Sequence, residues 1–176
     1  FQNLLQTICS QVATQGDVEV PSQTLVDGSG TIQDLLTQSV AELGENIQFA
    51  EAKRFELDEG VIGSYIHMTG KIGVLVPIAT NGAADKDQLT SLARDIAMHI
   101  AALSPAAITE SDIPGEIMDE ERSIYEAQLK DANKPEEIKN KIIAGKLKKF
   151  ASGMCLYGQP FVKEPKETIE EIDRKS

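Results

Sequence analysis

Few residues of this chain have types and spacings that could do chemistry. It has two histidines, His67 and His99, and two cysteines, Cys9 and Cys155. Two histidines alone do not make a zinc site, and no carboxylate stands at helical spacing from either on an evidently concave surface. The cysteines lie in unlike surroundings and form neither a metal-ligand spacing nor a disulfide framework. A phosphate-cradling loop needs Gly-x-x-x-x-Gly-Lys-Ser/Thr. The nearest match, Gly70-Lys71-Ile72, puts Ile where the magnesium-binding hydroxyl belongs and Tyr65 where the first Gly should stand. Gly28-Ser29-Gly30 superficially resembles a nucleophile elbow but lacks the full Gly-x-Ser-x-Gly pattern and the strand before it, so a turn is the better reading.

What remains is a surface. Val61, Gly63, Tyr65 and His67 fall on one face of a strand at a spacing of two, and Ile62, Ser64, Ile66 and Met68 on the other. Thr69-Gly70 supplies a turn, and Ile72 to Ile78 runs back almost continuously apolar, as a central strand covered on both faces would. Pro77 costs that strand ladder bonds near its end. His67 therefore sits beside an exposed tip with Tyr65 on its face, and amphipathic rings are enriched where proteins meet proteins. On the residues alone, a partner contact and an ordinary exposed strand residue are both open readings. His99, on the flank of the Leu92, Ile96, Ile100 stripe, reads as a half-buried packing residue.

The elements that must position this hairpin follow from periodicity. Residues 1 to 14 form a helix on Phe1, Leu4, Leu5, Ile8 and Val12, stopped by Gln15-Gly16. A loop from Val18 to Gly30 leads to a second helix, Thr31 to Leu43, with Thr31 and Asp34 as a capping pair, Ile32, Leu35, Leu36, Val40 and Leu43 as its stripe, and Gly44 as its stop. Asn46 to Leu57 alternates through Ile47, Phe49, Phe55 and Leu57 and reads as a strand, with Lys53-Arg54 suiting an exposed edge. Lys86 to Leu103 is the clearest helix, repeating Leu89, Leu92, Ala93, Ile96, Ala97, Ile100 and Leu103 before Ser104-Pro105. Its alanines allow close approach to the sheet.

Gly115 to Ala132 and Pro135 to Ser152 are two long helical patterns whose short link, Asn133-Lys134, forces an antiparallel hairpin. Glu116, Asp119, Glu120, Glu121 and Glu126 make the first acidic; Lys139, Lys141, Lys146, Lys148 and Lys149 make the second basic, which favours their pairing. Ile117, Ile124, Tyr125, Leu129, Ile138, Ile142, Leu147 and Phe150 are the expected seam. On charge pattern, a solvated structural arm and a binding arm are equally good readings. Met154 to Val162 reads as a short strand broken by Gly158 and Pro160, and the tail from Lys163 as loose or partly helical.

Composition narrows the classes. Hydrophobic residues make 41% and charged residues 26%, as in an ordinary globular protein with one sizeable core or two small ones. A net charge of -11 argues against a nucleic-acid partner, because phosphate binding needs clustered Lys and Arg. No apolar run approaches the roughly 20 residues that span a bilayer, and no charged-then-apolar leader opens the chain. No membrane association is expected, and the cysteine usage fits a reducing cytoplasm. The chain opens at Phe1 inside a helical pattern, as a piece of something longer would.

Leu43-Gly44-Glu45-Asn46-Ile47, the Gly60–Ala79 hairpin, Ile96-Ala97-Met98-His99-Ile100-Ala101-Ala102 and Gly158-Gln159-Pro160-Phe161-Val162 together resemble the translation elongation factor Ts family, from about Phe1 to about Lys166. The resemblance implies an α+β fold of small antiparallel sheets covered by helices, in two related subdomains, with an antiparallel helical coiled-coil hairpin inserted in the second. The expected organisation is residues 1–57 as the remainder of the first subdomain, 58–113 as sheet and helix of the second, 114–153 as the inserted hairpin and 154–176 as final strand and tail.

It also implies a guanine-nucleotide exchange factor for elongation factor Tu. His67 and the Leu43-Gly44 loop would touch that partner's nucleotide-binding domain, and Tyr65 joins them on the hairpin face. No catalytic side chain, cofactor or metal is expected. The family's amino-terminal helical domain and its Thr-Asp-Phe motif would precede Phe1, and a carboxy-terminal helix would follow Ser176. The alternative is an assembly module that docks, or self-associates, through the helical hairpin without exchanging nucleotide. A bacterial cytoplasm is the expected location, with an organellar matrix as the alternative.

Overall fold

The computed structural model describes residues 1–68, 70–80, 82 and 85–175. Thr69, assigned above to the turn, lies outside them. The chain divides into two compact units, Phe1–Glu56 and Leu57–Ser176. Its class is α+β, as expected: the described residues form six α-helices and two two-stranded antiparallel sheets.

In the first unit, α1 (Gln2–Gln15) and α2 (Ile32–Leu43) bury Leu4, Ile8 and Val12 against Ile32 and Leu36, with Val20 of the connecting loop between them. Phe1 and Leu5, read into the stripe of α1, stand exposed, whereas Gln11 is buried and donates to the Thr24 carbonyl at 2.6 Å. The Thr31–Asp34 cap is reciprocal. The Thr31 N–H donates to Asp34 Oδ2 at 2.8 Å and the Asp34 N–H to Thr31 Oγ1 at 3.2 Å, so two helix-start donors that water would otherwise take are satisfied internally.

The strand expected over Asn46 to Leu57 does not form. Among the described residues this segment joins no ladder, and Ile47, Phe49 and Ala52 lie on the first core. Alternation gives a segment one apolar side; a ladder also needs a neighbouring strand. Nor is Arg54 a sheet edge: its N–H donates to Asp17 at 2.9 Å and its Nε to the Ala13 carbonyl at 3.0 Å. That N–H holds the Asp17 carboxyl below its ordinary range.

The second unit is built on β1 (Gly60–Ile66) and β2 (Gly73–Ala79), paired antiparallel with Gly63 opposite Val76 and Tyr65 opposite Val74. The helix α3 (Lys86–Leu103) covers one face of this hairpin. The fit is backbone to backbone. A Cβ at Gly63 would lie 2.4 Å from the Ala93 carbonyl carbon, so only glycine permits this approach. Ala93 and Ala97 are fully buried there, beside Ile96 and Leu89. The other face of the hairpin is open, contrary to the reading of β2 as covered on both sides: Ile62, Ile66 and Leu75 are exposed. An apolar run shows that both faces suit burial, but covering the second requires a layer that α3 cannot supply.

Next come α4 (Gly115–Leu129) and α5 (Glu136–Met154), an antiparallel pair in which Lys146 reaches back to Gln128 Oε1 at 2.7 Å and stands over the Tyr125 ring at 4.7 Å. The seam is narrower than expected. No α4 residue is buried, and Ile143, Leu147 and Ala151 carry the contact from α5. Ile124 and Ile138 are instead 50% and 46% exposed. Among the described residues no ion pair joins the two helices; Lys139–Glu136 and Lys141–Glu137 lie within α5. A coiled coil is therefore not established, and the observed element is an antiparallel helix pair.

The helix α5 runs on to Met154, where a strand was expected, and the tail, read as loose or partly helical, forms a strand and a short helix. β3 (Pro160–Phe161) pairs with β4 (Glu164–Thr168), and α6 (Ile169–Asp173) follows, capped reciprocally by Thr168 and Glu171. Phe161 and the almost fully buried Ile169 complete the core made by Val76, Ile96, Ala97 and Leu156. Among the described residues, no helix is long and apolar enough to cross a membrane.

Candidate functional site

The tip of the β1–β2 hairpin gathers two of the four residues singled out by sequence. His67 follows the last residue of β1; its N–H donates to the Ile72 carbonyl at 2.9 Å, and its carbonyl accepts from the Gly70 N–H at 2.7 Å. Gly70 has φ +69°, the left-handed conformation a glycine adopts without steric cost. These bonds hold the His67 backbone while the imidazole stays exposed. Tyr65, two residues earlier on the same face, is half-buried, its ring packed against the Val76, Ile96, Ala97 core. Its hydroxyl lies 3.3 Å from His67 Nδ1, with the ring centroids 6.3 Å apart. The exposed imidazole is thus tied to a phenol seated in the core.

Around it the surface is apolar. Ile66 is 73% and Met68 96% exposed, and Leu75 continues the patch along the outer face, while the exposed Ile72 stands opposite His67. Sequence reasoning placed Ile62, Ile66 and Met68 away from the core-facing side but missed that this side stands bare. The signal was present: if α3 covers the Val61, Gly63, Tyr65 face, nothing else in the reading was assigned to the other.

Leu43 and Gly44 belong to the first unit. Leu43, the last residue of α2, is 49% exposed. Gly44 has φ +68° and donates its N–H to the Val40 carbonyl at 2.9 Å, which ends the helix and turns the chain outward. Tyr65 and His67 lie in the second unit, so the four residues occupy two separate compact bodies.

His99 is fully buried, more deeply than expected, and takes no part in the surface. Its Nε2 lies 2.9 Å from Gln159 Oε1, and its Nδ1 accepts from the Val162 N–H at 3.3 Å. Both ring nitrogens are satisfied by a neutral imidazole protonated at Nε2, and burial lowers its pKa. Gln159 in turn donates to the Gly153 carbonyl at 2.9 Å. The Gly158–Val162 segment is thereby a core fastener: a Cβ at Gly158 would fall 2.4 Å from the Ser152 carbonyl oxygen. Cys155 is buried and its thiol pushed upward by that burial, with Glu110 and Asp112 adding to the shift, so it is poorly placed to act as a nucleophile. The described residues bring no three or more His, Cys, Asp or Glu side chains into a metal-binding group. The tip can offer hydrogen bonds and apolar contact to another molecule.

The family model described as Elongation factor TS matches residues 1–175. Among curated proteins, the chain is 36% identical over 176 residues to the elongation factor Ts of Clostridium novyi (strain NT), covering 98% of this chain and 57% of that one. It is 35% identical over 178 residues to the elongation factor Ts of Trichlorobacter lovleyi, covering 97% and 57%. For that of Bartonella bacilliformis the identity is 34% over 177 residues, again covering 97% and 57%. The chain spans less than two thirds of the length of these curated relatives.

Proposed function

The chain belongs to the elongation factor Ts family, and on that premise we propose that it acts in translation elongation as a guanine-nucleotide exchange factor, binding the GDP form of elongation factor Tu and hastening GDP release. The observation that carries this reading is the exposed His67 imidazole at the end of a two-stranded finger whose backbone is braced against α3. With its apolar neighbours Ile66 and Met68, that tip suits insertion into another protein's surface. Leu43 and Gly44, exposed at the end of α2, serve as a second contact.

Exchange of this kind is mechanical. Magnesium and the phosphate-binding loop hold the charged phosphates of a bound nucleotide, so pressure that displaces either weakens binding. Linkage then requires that nucleotide and magnesium, on rebinding, expel the factor. The chain needs differential affinity for two states of its partner and no bond-making group. The reading carries with it a bacterial cytoplasmic location.

Release of a fluorescent GDP from elongation factor Tu tests this. The chain is expected to accelerate release, and His67→Ala to lower the acceleration about tenfold, as loss of a central interface contact does. Failure of the chain to accelerate release would overturn the proposal. A second reading, a docking or self-associating module without exchange, is favoured by the half-exposed Ile124 and Ile138 on the α4–α5 pair. Binding to elongation factor Tu without faster release, or a concentration-dependent mass abolished by charging those two positions, supports it.

A further inference from the structure

The Tyr65–His67 contact says more than that two rings share a strand face. A neutral imidazole carries one proton, and the nitrogen that holds it is decided by the bond the other nitrogen makes. Tyr65 cannot drift to suit His67, because its ring is packed on the Val76, Ile96, Ala97 core and stands opposite Val74 in the ladder. Its hydroxyl lies 3.3 Å from Nδ1, and a phenol is a good donor to an imidazole nitrogen lone pair. In that arrangement Nδ1 is the acceptor and the proton sits on Nε2. The backbone around the imidazole is fixed as well, by the His67 N–H to the Ile72 carbonyl and the Gly70 N–H to the His67 carbonyl.

We propose that Tyr65 is a positioning residue: its hydroxyl holds His67 in the Nε2–H form and orients the ring, so that the finger presents a single N–H donor set among exposed Ile66, Met68 and Ile72. The matching surface on the partner is apolar with one hydrogen-bond acceptor, a carbonyl or carboxylate oxygen, at the place the tip reaches. The inference rests on the reading of this tip as the docking site. It moves Tyr65 from a contact residue to one that acts through its neighbour. The ordering cost of an exposed side chain is met within the free chain, which favours association without a new contact.

The Tyr–His bond and the docking are tested separately. In the free chain, ¹⁵N shifts of the His67 ring report the tautomer. The expected result is Nε2–H in the wild type and a mixture of both neutral forms in Tyr65→Phe, which keeps the ring in the core and removes only the hydroxyl. An Nδ1–H ring in the wild type, or a ring unchanged by Y65F, overturns the proposal.

In the GDP-release assay with elongation factor Tu, Y65F is expected to cost about threefold to tenfold, the worth of one ordinary hydrogen bond. Y65F combined with His67→Ala should cost no more than His67→Ala alone; additive losses overturn positioning and leave Tyr65 a structural residue. A glutamine at 67 places its amide near Nε2 and an asparagine near Nδ1, so His67→Gln should retain more activity than His67→Asn, and the reverse order overturns the assigned donor. If the tautomer responds to Y65F while His67→Ala exchanges like the wild type, the docking reading falls and the Tyr65–His67 bond stands as a property of the free chain.

Discussion

The β1–β2 finger and the α4–α5 pair both project apolar side chains from the second unit, but they are held in opposite ways. The finger lies on α3 with Gly63 against Ala93 and with Val61, Val76 and Tyr65 turned inward, so its backbone is braced along one face. The helix pair has no buried residue in α4 and a three-residue seam in α5. The finger is braced by the absence of a side chain at one position, whereas few buried side chains hold the pair across its contact. A surface that must press on another molecule is better made in the first way, and one that must adapt in the second.

The largest test of this contrast is Gly63→Val. A branched side chain there has no room against the Ala93 backbone, and about 3 kcal/mol or more of stability should be lost, read as a lower urea midpoint. A loss under about 1 kcal/mol would mean that finger and helix separate easily, and the contrast would fail. Smaller is Leu147→Ala in the seam, expected to cost about 2 kcal/mol, the low end for a buried leucine, because a thin contact can collapse around the gap. Amide exchange should quicken in α4 and α5 and stay unchanged in β1 and β2; equal quickening in both regions would show them to be one cooperative body.

The smallest effect expected is that of pH on the fastener behind the finger. His99 has a folded pKa below its ordinary value because burial penalises the cation. Its contribution is therefore complete above the unfolded value of about 6.5 and is lost as pH falls through the lower folded value. Thermal unfolding should show a drop in that window which His99→Gln removes, and a His99→Gln profile identical to the wild type would locate the titration elsewhere.

How far the sequence foretold this molecule depended on whether the cause was local. Lys86–Leu103 was legible to the residue, since its period and the Ser104-Pro105 stop lie within it or beside it. The Thr31–Asp34 cap was legible for the same reason. The hairpin and its exposed histidine were legible from alternation and a glycine turn. Three features were not, because their causes lie far along the chain. Asn46 to Leu57 alternates like a strand yet has no neighbour to pair with. His99 is wholly buried because Gln159, 60 residues on, supplies its polar partner. The tail read as loose or at most partly helical because its charges concealed Ile169, which joins a core assembled upstream. Of the four proposed contact residues, the sequence placed His67 beside an exposed tip but put Leu43, which is 49% exposed, in the apolar stripe of its helix, and the bond that makes Tyr65 and His67 a pair needed coordinates.

The bare backbone contact at Gly63 also determines how the finger carries a load. Most strand-to-helix layers are separated by interleaved side chains that shift rotamer under stress, a spring in series with whatever pushes on them. Here that spring is missing at the crossing point, and close-packed matter compresses little. At Gly63 strand and helix bear on each other directly, so a push along the finger meets the α3 backbone there with no side chain between.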